Sequence, residues 1–217
     1  MKRYMVVSSC IVGILYLLTV MMILFSPPGD NAVIDHVEHG TKLILAHYFL
    51  GFLGFFGIAV VMKSSSFLKA KYEFLDYTKI LAIIGFGLLS INNLRQIGVD
   101  HDLAHQAIHH GAGYYDFTVF FWRGLVELSP QGWVDFGFVG LWLITLNYLF
   151  LKEKTIHFVH SVVGMVLGAC FVITVLGNVI SVSLLTQLGM GLGGTILAPI
   201  YFVWLGLALL KRQTAIS

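Results

Sequence analysis

The chain has 217 residues, of which 58% are hydrophobic and only 11% are charged, and its mean hydropathy is +0.87. Because soluble domains carry roughly 25% charged residues, this composition excludes a soluble globular protein. The 13 Lys and Arg residues leave a net charge of only +2 and form no basic stripe, which argues against nucleic acid as a partner. The expected environment is the lipid bilayer.

Six apolar segments, each long enough to cross a bilayer as a helix, follow one another along the chain. They are 4–25, 41–62, 78–96, 132–151, 156–180 and 189–210. Stretches rich in Pro, Gly, Lys or Glu separate them, as is typical of loops. The sequence therefore predicts an all-α fold, a polytopic membrane bundle of six transmembrane helices that forms one integral-membrane domain over residues 1–217.

The distribution of charge predicts the orientation, because Lys and Arg near the ends of a span resist translocation. With six spans, ten of the 13 basic residues lie on one side, and the other three lie opposite together with eight acidic residues. The two sides then carry net charges of +7 and −5. We expect a multi-pass protein of the cell membrane with both termini in the cytoplasm and its histidine-rich loops outside.

The third loop is too long and too apolar to be a plain connection. Its first part, Val99 to His110, contains neither Gly nor Pro and is predicted to extend the third span as a projecting helix. Its second part, Tyr114 to Leu128, is apolar but too short to cross a bilayer. We expect an interfacial or re-entrant helix there.

Seven of the nine histidines fall on the predicted outer side. In a helical extension, positions 101, 105 and 109 would be neighbours on one face, with Cβ atoms about 5–6 Å apart. Imidazole combined with carboxylate suits Zn, Cu(II) or non-haem Fe, and nearby carboxylates can also orient an imidazole. The predicted metal ligands are His101, His105, His109, His110, Asp100 and Asp102, joined by His36 and His39 of the first outer loop.

Two alternatives to a metal site stay open for this cluster. The histidines could form an ordinary solvated loop, or they could respond to pH, because imidazole titrates near physiological pH.

His47 lies inside the second span, about 9 Å from its start at 1.5 Å per residue. A polar residue at that depth is a functional candidate by default, and we take His47 as a candidate cofactor-binding residue. Gly51 and Gly54 on the same face admit a neighbouring helix or a flat porphyrin. We expect helix packing first. Haem is a weaker expectation than a metal ion, because no other span supplies a second axial His at matching depth.

Further polar candidates lie at the ends of other spans. Asn92 and Arg95 occupy the outer end of the third span. Glu153, His157 and His160 lie where the fifth span begins on the cytoplasmic side. They could form a second metal or proton site, although a helix start beside two lysines can simply place hydrated histidines at the interface, which we favour.

Three histidine strings are similar to the histidine boxes of membrane di-iron desaturases and hydroxylases. These are His101-x-x-x-His105, His105-x-x-x-His109-His110 and His157-x-x-His160. The boxes of that family gather on one membrane face, whereas the charge distribution places these strings on opposite faces, about 30 Å apart. The sequence is therefore not assigned to that family.

The leading hypothesis is a membrane protein with an outward-facing histidine and carboxylate site for Fe, Cu or Zn, serving metal-dependent redox chemistry or metal handling. One alternative is a small secondary transporter with inverted three-helix repeats, suggested by the His-x-x-x-Gly pattern at His47 and again at His160. Another is an accessory subunit of a larger membrane complex, or a homo-oligomer. Neither a substrate nor a catalytic residue is indicated.

Overall fold

The computed structural model describes residues 2–25, 32–111, 113–114, 117, 129 and 132–214, with side chains except at 2–3, 32–39, 98–104, 107–108 and 212–214. These residues are almost entirely helical and contain no strand. The predicted all-α class is confirmed.

Six long helices make up the described part of the chain, and we number them in chain order. Helix α1 is Lys2–Leu24, and α2 is Ala32–Ser64, followed by a short 3₁₀ turn at Ser65–Phe67. Helix α3 is Glu73–His110. Helix α4 starts with π geometry at Trp133–Gly137 and continues over Phe138–Lys152, and α5 is Phe158–Val179. Helix α6 comprises Ser183–Leu188, a π segment at Gly189–Leu197, and Ala198–Thr214.

All six helices contain an apolar stretch long enough to cross a membrane, which suggests a bilayer environment. The stretches follow the predicted spans closely. The largest shift is at the last span, which begins at Ser183 rather than at position 189, and α3 begins at Glu73 rather than at position 78. Glu73 and Asp76 lie in its first turn, where carboxylates interact favourably with the positive end of the helix dipole.

The helices form a closed ring. Each helix packs against the next one along the chain, and α6 packs back against α1. Their buried side chains form one apolar core that includes Met5, Leu53, Phe86, Trp142, Phe171 and Phe202. Because successive helices run in opposite directions, α2 ends and α3 begins at the same end of the ring as the chain's first helical residue.

The two ends of the ring differ in their polar residues, and we name them accordingly. The lysine end carries Lys63, Lys69, Lys71, Lys79, Lys152, Lys154 and Lys211. The histidine end, where α2 begins and α3 ends, carries His36, His39, His101, His105, His109 and His110. This is the separation that the sequence predicted. That the lysine end faces the cytoplasm stays a prediction.

Two local predictions are wrong. Positions 35–39, expected in a loop, lie within α2, which begins at Ala32. In the last span, the glycines at 189–194 predict a tight or broken helix start in the sequence, but the segment Gly189–Leu197 is a wide π helix in the middle of α6. The predicted interfacial or re-entrant helix lies almost wholly outside the described residues.

Candidate functional site

Helix α3 continues well past its apolar part. The apolar stretch ends at Ile97, and the helix runs a further 13 residues to His110, a distance of about 20 Å. The predicted helical extension is thus confirmed. Helix α2 also begins eight residues before its own apolar stretch, which starts at Gly40. Since α2 and α3 are antiparallel neighbours, both projections leave the histidine end.

The extension places three histidines one turn apart. His101, His105 and His109 occupy positions i, i+4 and i+8 of a continuous helix. The first and last are about 12 Å apart along the axis, too far to share one ion. A single metal can therefore take only an adjacent pair, and His105 belongs to both pairs. The side chains of His105 and His109 are exposed.

Other predicted ligands are placed less fully. The ring of His110 packs against Tyr114, with centroids 5.0 Å apart. Within the part of the chain whose side chains are described, no group of three His, Cys, Asp or Glu residues is close enough to hold a metal. The remaining predicted ligands have side chains outside that part, and their role stays a prediction; they are His36, His39, Asp100, His101 and Asp102.

His47 has a partner on the neighbouring helix. Its Nδ1 donates a hydrogen bond of 2.9 Å to Oδ1 of Asn93 in α3, and the Asn93 amide donates to the Leu89 carbonyl. This pairing satisfies a polar group inside an apolar stretch. It also selects the tautomer of the neutral imidazole in which Nε2 keeps its lone pair.

The glycine face below His47 is filled by α3. A Cβ atom at Gly51 would lie 2.6 Å from Leu94, and one at Gly57 would lie 2.5 Å from the Phe86 ring. A Cβ at Gly54 would collide with the Phe86 carbonyl oxygen. The face serves helix packing, as expected, and α3 occupies the space that a porphyrin would need there.

The polar candidates near the end of the apolar stretch of α3 are half-buried. Oδ1 of Asn92 is buried and makes no hydrogen bond with the described residues. Arg95 is also half-buried. The partners that the sequence predicts for Arg95 are Asp100, Asp102 or a substrate anion, and the side chains of both aspartates lie outside the described part.

Glu153 holds the loop between α2 and α3. Its carboxylate accepts hydrogen bonds from the backbone N–H of Lys69 at 2.7 Å and of Ala70 at 3.1 Å, and from the Tyr72 hydroxyl at 3.0 Å. Partial burial raises the pKa of Glu153, but these hydrogen bonds outweigh it and lower the pKa overall. Glu153 is therefore committed to this loop rather than to the two nearby histidines.

His157 is exposed at the start of α5, as expected. Its Nδ1 accepts a hydrogen bond of 3.3 Å from the Val159 N–H, which caps the start of α5.

His160 contradicts the same expectation, because its side chain is 0% exposed. Its ring lies 4.8 Å from the Tyr201 ring and 5.0 Å from the Trp204 ring, both contributed by α6. Neither ring nitrogen has a hydrogen-bond partner among the described residues; the Tyr201 backbone is close but outside ordinary hydrogen-bond geometry. Packing against α6 buries this imidazole without pairing it.

Tyr201 is paired with Asn147 instead. The Asn147 amide donates to the Tyr201 hydroxyl at 2.8 Å and to the Leu143 carbonyl at 2.8 Å, and the hydroxyl is 3.2 Å from Asn147 Oδ1. Asn147 also lies against Gly164, one turn beyond His160, where an added Cβ would overlap the amide group. The glycine face of α5 is therefore also filled by a neighbouring helix, here by Asn147 of α4.

Sequence reasoning missed the partners of the two buried histidines. Asn93 could have been found by depth, since it lies four residues inside the end of its apolar stretch and His47 lies seven inside the start of its own. Tyr201 and Trp204 gave no such signal, because aromatic residues are ordinary in an apolar helix.

No family model, curated protein or solved structure matches this chain. The arrangement of its residues must therefore carry the functional argument. The strings of α3 and α5 lie at opposite ends of the ring, because α3 ends at the histidine end whereas α5 begins at the lysine end. The arrangement keeps apart the strings that desaturases bring together.

Proposed function

We propose that this chain is a multi-pass membrane protein that binds Fe, Cu or Zn at its histidine end, outside the cytoplasm, for metal-dependent redox chemistry or metal handling. The observation that supports this most is the unbroken helix from Glu73 to His110. It continues past the apolar stretch and sets imidazoles one turn apart on one face, the spacing at which two histidines of a helix bind one metal.

The proposed centre uses His105 with either His101 or His109. Carboxylates at Asp100 or Asp102 supply a further ligand or orient an imidazole. The start of α2 leaves the same end of the ring, so its His36 and His39 can complete the coordination. Two imidazoles with one carboxylate leave open positions on a metal, which both redox chemistry and metal transfer require.

Binding should depend on pH, because a ligating imidazole must be unprotonated. The affinity is therefore expected to fall as the pH is lowered.

The test is a calorimetric titration in which Zn²⁺ is added to the purified, metal-stripped full chain in detergent. We expect about one bound equivalent for the unaltered chain and an affinity at least about tenfold weaker for His105→Ala, which removes the ligand common to both pairs. His157→Asn is the matched control, because it removes an exposed imidazole at the lysine end while Asn can still cap α5.

Equal affinity for the unaltered chain and His105→Ala would contradict the proposal. An equal loss in His157→Asn would also contradict it, since that result means that scattered surface histidines bind the metal.

A further inference from the structure

A cavity of about 470 Å³ opens at the lysine end, on the side of the ring formed by α2 and α3. It lies where the 3₁₀ turn after α2 meets the first turns of α3. Its lining combines lysines with hydroxyl and apolar groups, chiefly Ser66, Leu68, Lys69, Lys71, Leu75 and Lys79.

The lining is positively charged. Lys69, Lys71 and Lys79 contribute three cations, and Asp76 contributes the only acid of the lining. Asp76 is paired with Lys79, with Nζ and Oδ1 3.2 Å apart. Lys69 and Lys71 are exposed and make no ion pair with the described residues that meets an ordinary distance limit.

A fourth cation stands beside the cavity. Lys152 Nζ lies 5.5 Å from the centre of the Tyr72 ring, and Tyr72 is itself part of the lining. The nearby carboxylate of Glu153 is already engaged by the backbone N–H groups of Lys69 and Ala70 and by the Tyr72 hydroxyl. These bonds fix the shape of the loop around the cavity. The Lys69 ammonium also interacts electrostatically with this carboxylate, and Lys79 is paired with Asp76, so Lys71 and Lys152 supply the excess positive charge.

The cavity lies at the boundary of the apolar part of the bundle. The apolar stretch of α2 ends at Phe67, and that of α3 begins at Glu73. Directly after this boundary, Phe74, Tyr77 and Ile80 are 65%, 59% and 57% exposed. Their spacing of three residues places them along one side of α3 as an apolar ridge, and Ile80 lies one turn beyond Asp76 of the lining, so the ridge adjoins the cavity at that point.

We propose that this cavity binds the phosphodiester headgroup of an anionic membrane lipid, with the acyl chains lying along the ridge of Phe74, Tyr77 and Ile80. Basic pockets between membrane helices suit such headgroups, because lysines neutralise the phosphate while the chains remain in the bilayer. A free phosphate would use the lysines but not the ridge. The lipid therefore accounts for both features.

The experiment measures lipid binding by native mass spectrometry of the full chain in neutral detergent. Phosphatidylglycerol and phosphatidylcholine are the two lipid probes, and inorganic phosphate is added as a competitor in a third arm. The cavity variant is K69Q/K71Q, which keeps the backbone N–H that Glu153 accepts. The matched control is K63Q/K154Q, which removes the same charge at the same end but outside the lining.

We expect the unaltered chain and K63Q/K154Q to retain phosphatidylglycerol in preference to phosphatidylcholine, and K69Q/K71Q to bind phosphatidylglycerol at least about tenfold more weakly. The melting temperature of K69Q/K71Q without lipid serves as the folding control. An equal loss in K63Q/K154Q overturns the proposal in favour of diffuse surface charge. Absence of lipid preference, or displacement of phosphatidylglycerol by an equal concentration of inorganic phosphate, overturns it as well.

Discussion

Helices α2 and α5 carry the same pattern, a histidine followed by glycines on one face, and put it to different use. In α2, His47 precedes Gly51 and Gly54; in α5, His160 precedes Gly164. On both helices a neighbouring helix fills the glycine face. The histidines differ, because His47 is hydrogen-bonded, whereas His160 packs against the Tyr201 and Trp204 rings and neither of its nitrogens has a partner of ordinary hydrogen-bond geometry among the described residues.

Whether each histidine is paired depends on the hydrogen bonds that the asparagine near it already makes. Asn93 has its oxygen available for His47, since its amide nitrogen bonds the backbone of its own helix. The Asn147 amide nitrogen donates to the Tyr201 hydroxyl and to the Leu143 carbonyl of its own helix, and the Asn147 oxygen lies 3.2 Å from the same hydroxyl. Glycine thus determines which helices approach, and a third side chain decides whether the histidine is paired.

The largest effect is expected from the glycine faces themselves. Gly54→Ala should destabilise the fold by about 1–3 kcal/mol, because its Cβ meets the backbone oxygen of Phe86, which cannot move cheaply. Gly164→Ala should also lower the free energy of unfolding, since its Cβ would displace the buried Asn147 amide, which is hydrogen-bonded to Leu143 and Tyr201. Reversible unfolding in detergent measures both.

Gly87→Ala is the control for these substitutions. Its Cβ has only Ile58 nearby, at 4.0 Å, so the better helix propensity of Ala should leave stability unchanged or higher. If Gly54→Ala proved as stable as Gly87→Ala, the packing of α2 on α3 would be wrong.

An intermediate effect should distinguish the two histidines. His47→Phe removes a hydrogen bond between membrane helices and should lower the free energy of unfolding by about 0.6–1.7 kcal/mol. His160→Phe removes two ring nitrogens that have no hydrogen-bond partner among the described residues and keeps a flat ring against Tyr201 and Trp204, so it should leave the stability unchanged or raise it. The same unfolding assay applies, and a larger cost at His160 than at His47 would reverse the comparison.

The smallest effect is expected at Tyr201. Tyr201→Phe keeps the stacking on His160 but removes the hydroxyl, at a cost of about 0.6 kcal/mol. Asn147 retains its bond to the Leu143 carbonyl, which limits the loss. A cost above about 2 kcal/mol would mean that the hydroxyl supports more than this one pair.

Much of the fold was predictable because it depends on local composition. Apolar stretches locate six helices, and the absence of Gly and Pro between Val99 and His110 extends α3. The early start of α2 was not predictable from hydropathy, since a polar sequence can be helical outside an apolar stretch. The π segment of α6 was missed because glycines there suggested a break, whereas they allow close packing on α5.

The candidate sites were predictable only in part. The depth of His47 identified it as an interior polar residue, but its pairing with Asn93 depends on how α2 and α3 are aligned. The burial of His160 was unpredictable from its neighbours, because Tyr201 and Trp204 come from a helix some 40 residues further along the chain. Local signals place a residue along its helix, whereas packing between helices decides what it touches.

The most direct test of the central claim is the metal content of the full chain, purified without chelators, beside that of the triple variant H101A/H105A/H109A. Elemental analysis should find about one equivalent of Fe, Cu or Zn in the unaltered chain and less than about a tenth in the variant. Equal content in both, or less than about a tenth of an equivalent in the unaltered chain, would contradict a metal centre at the end of α3.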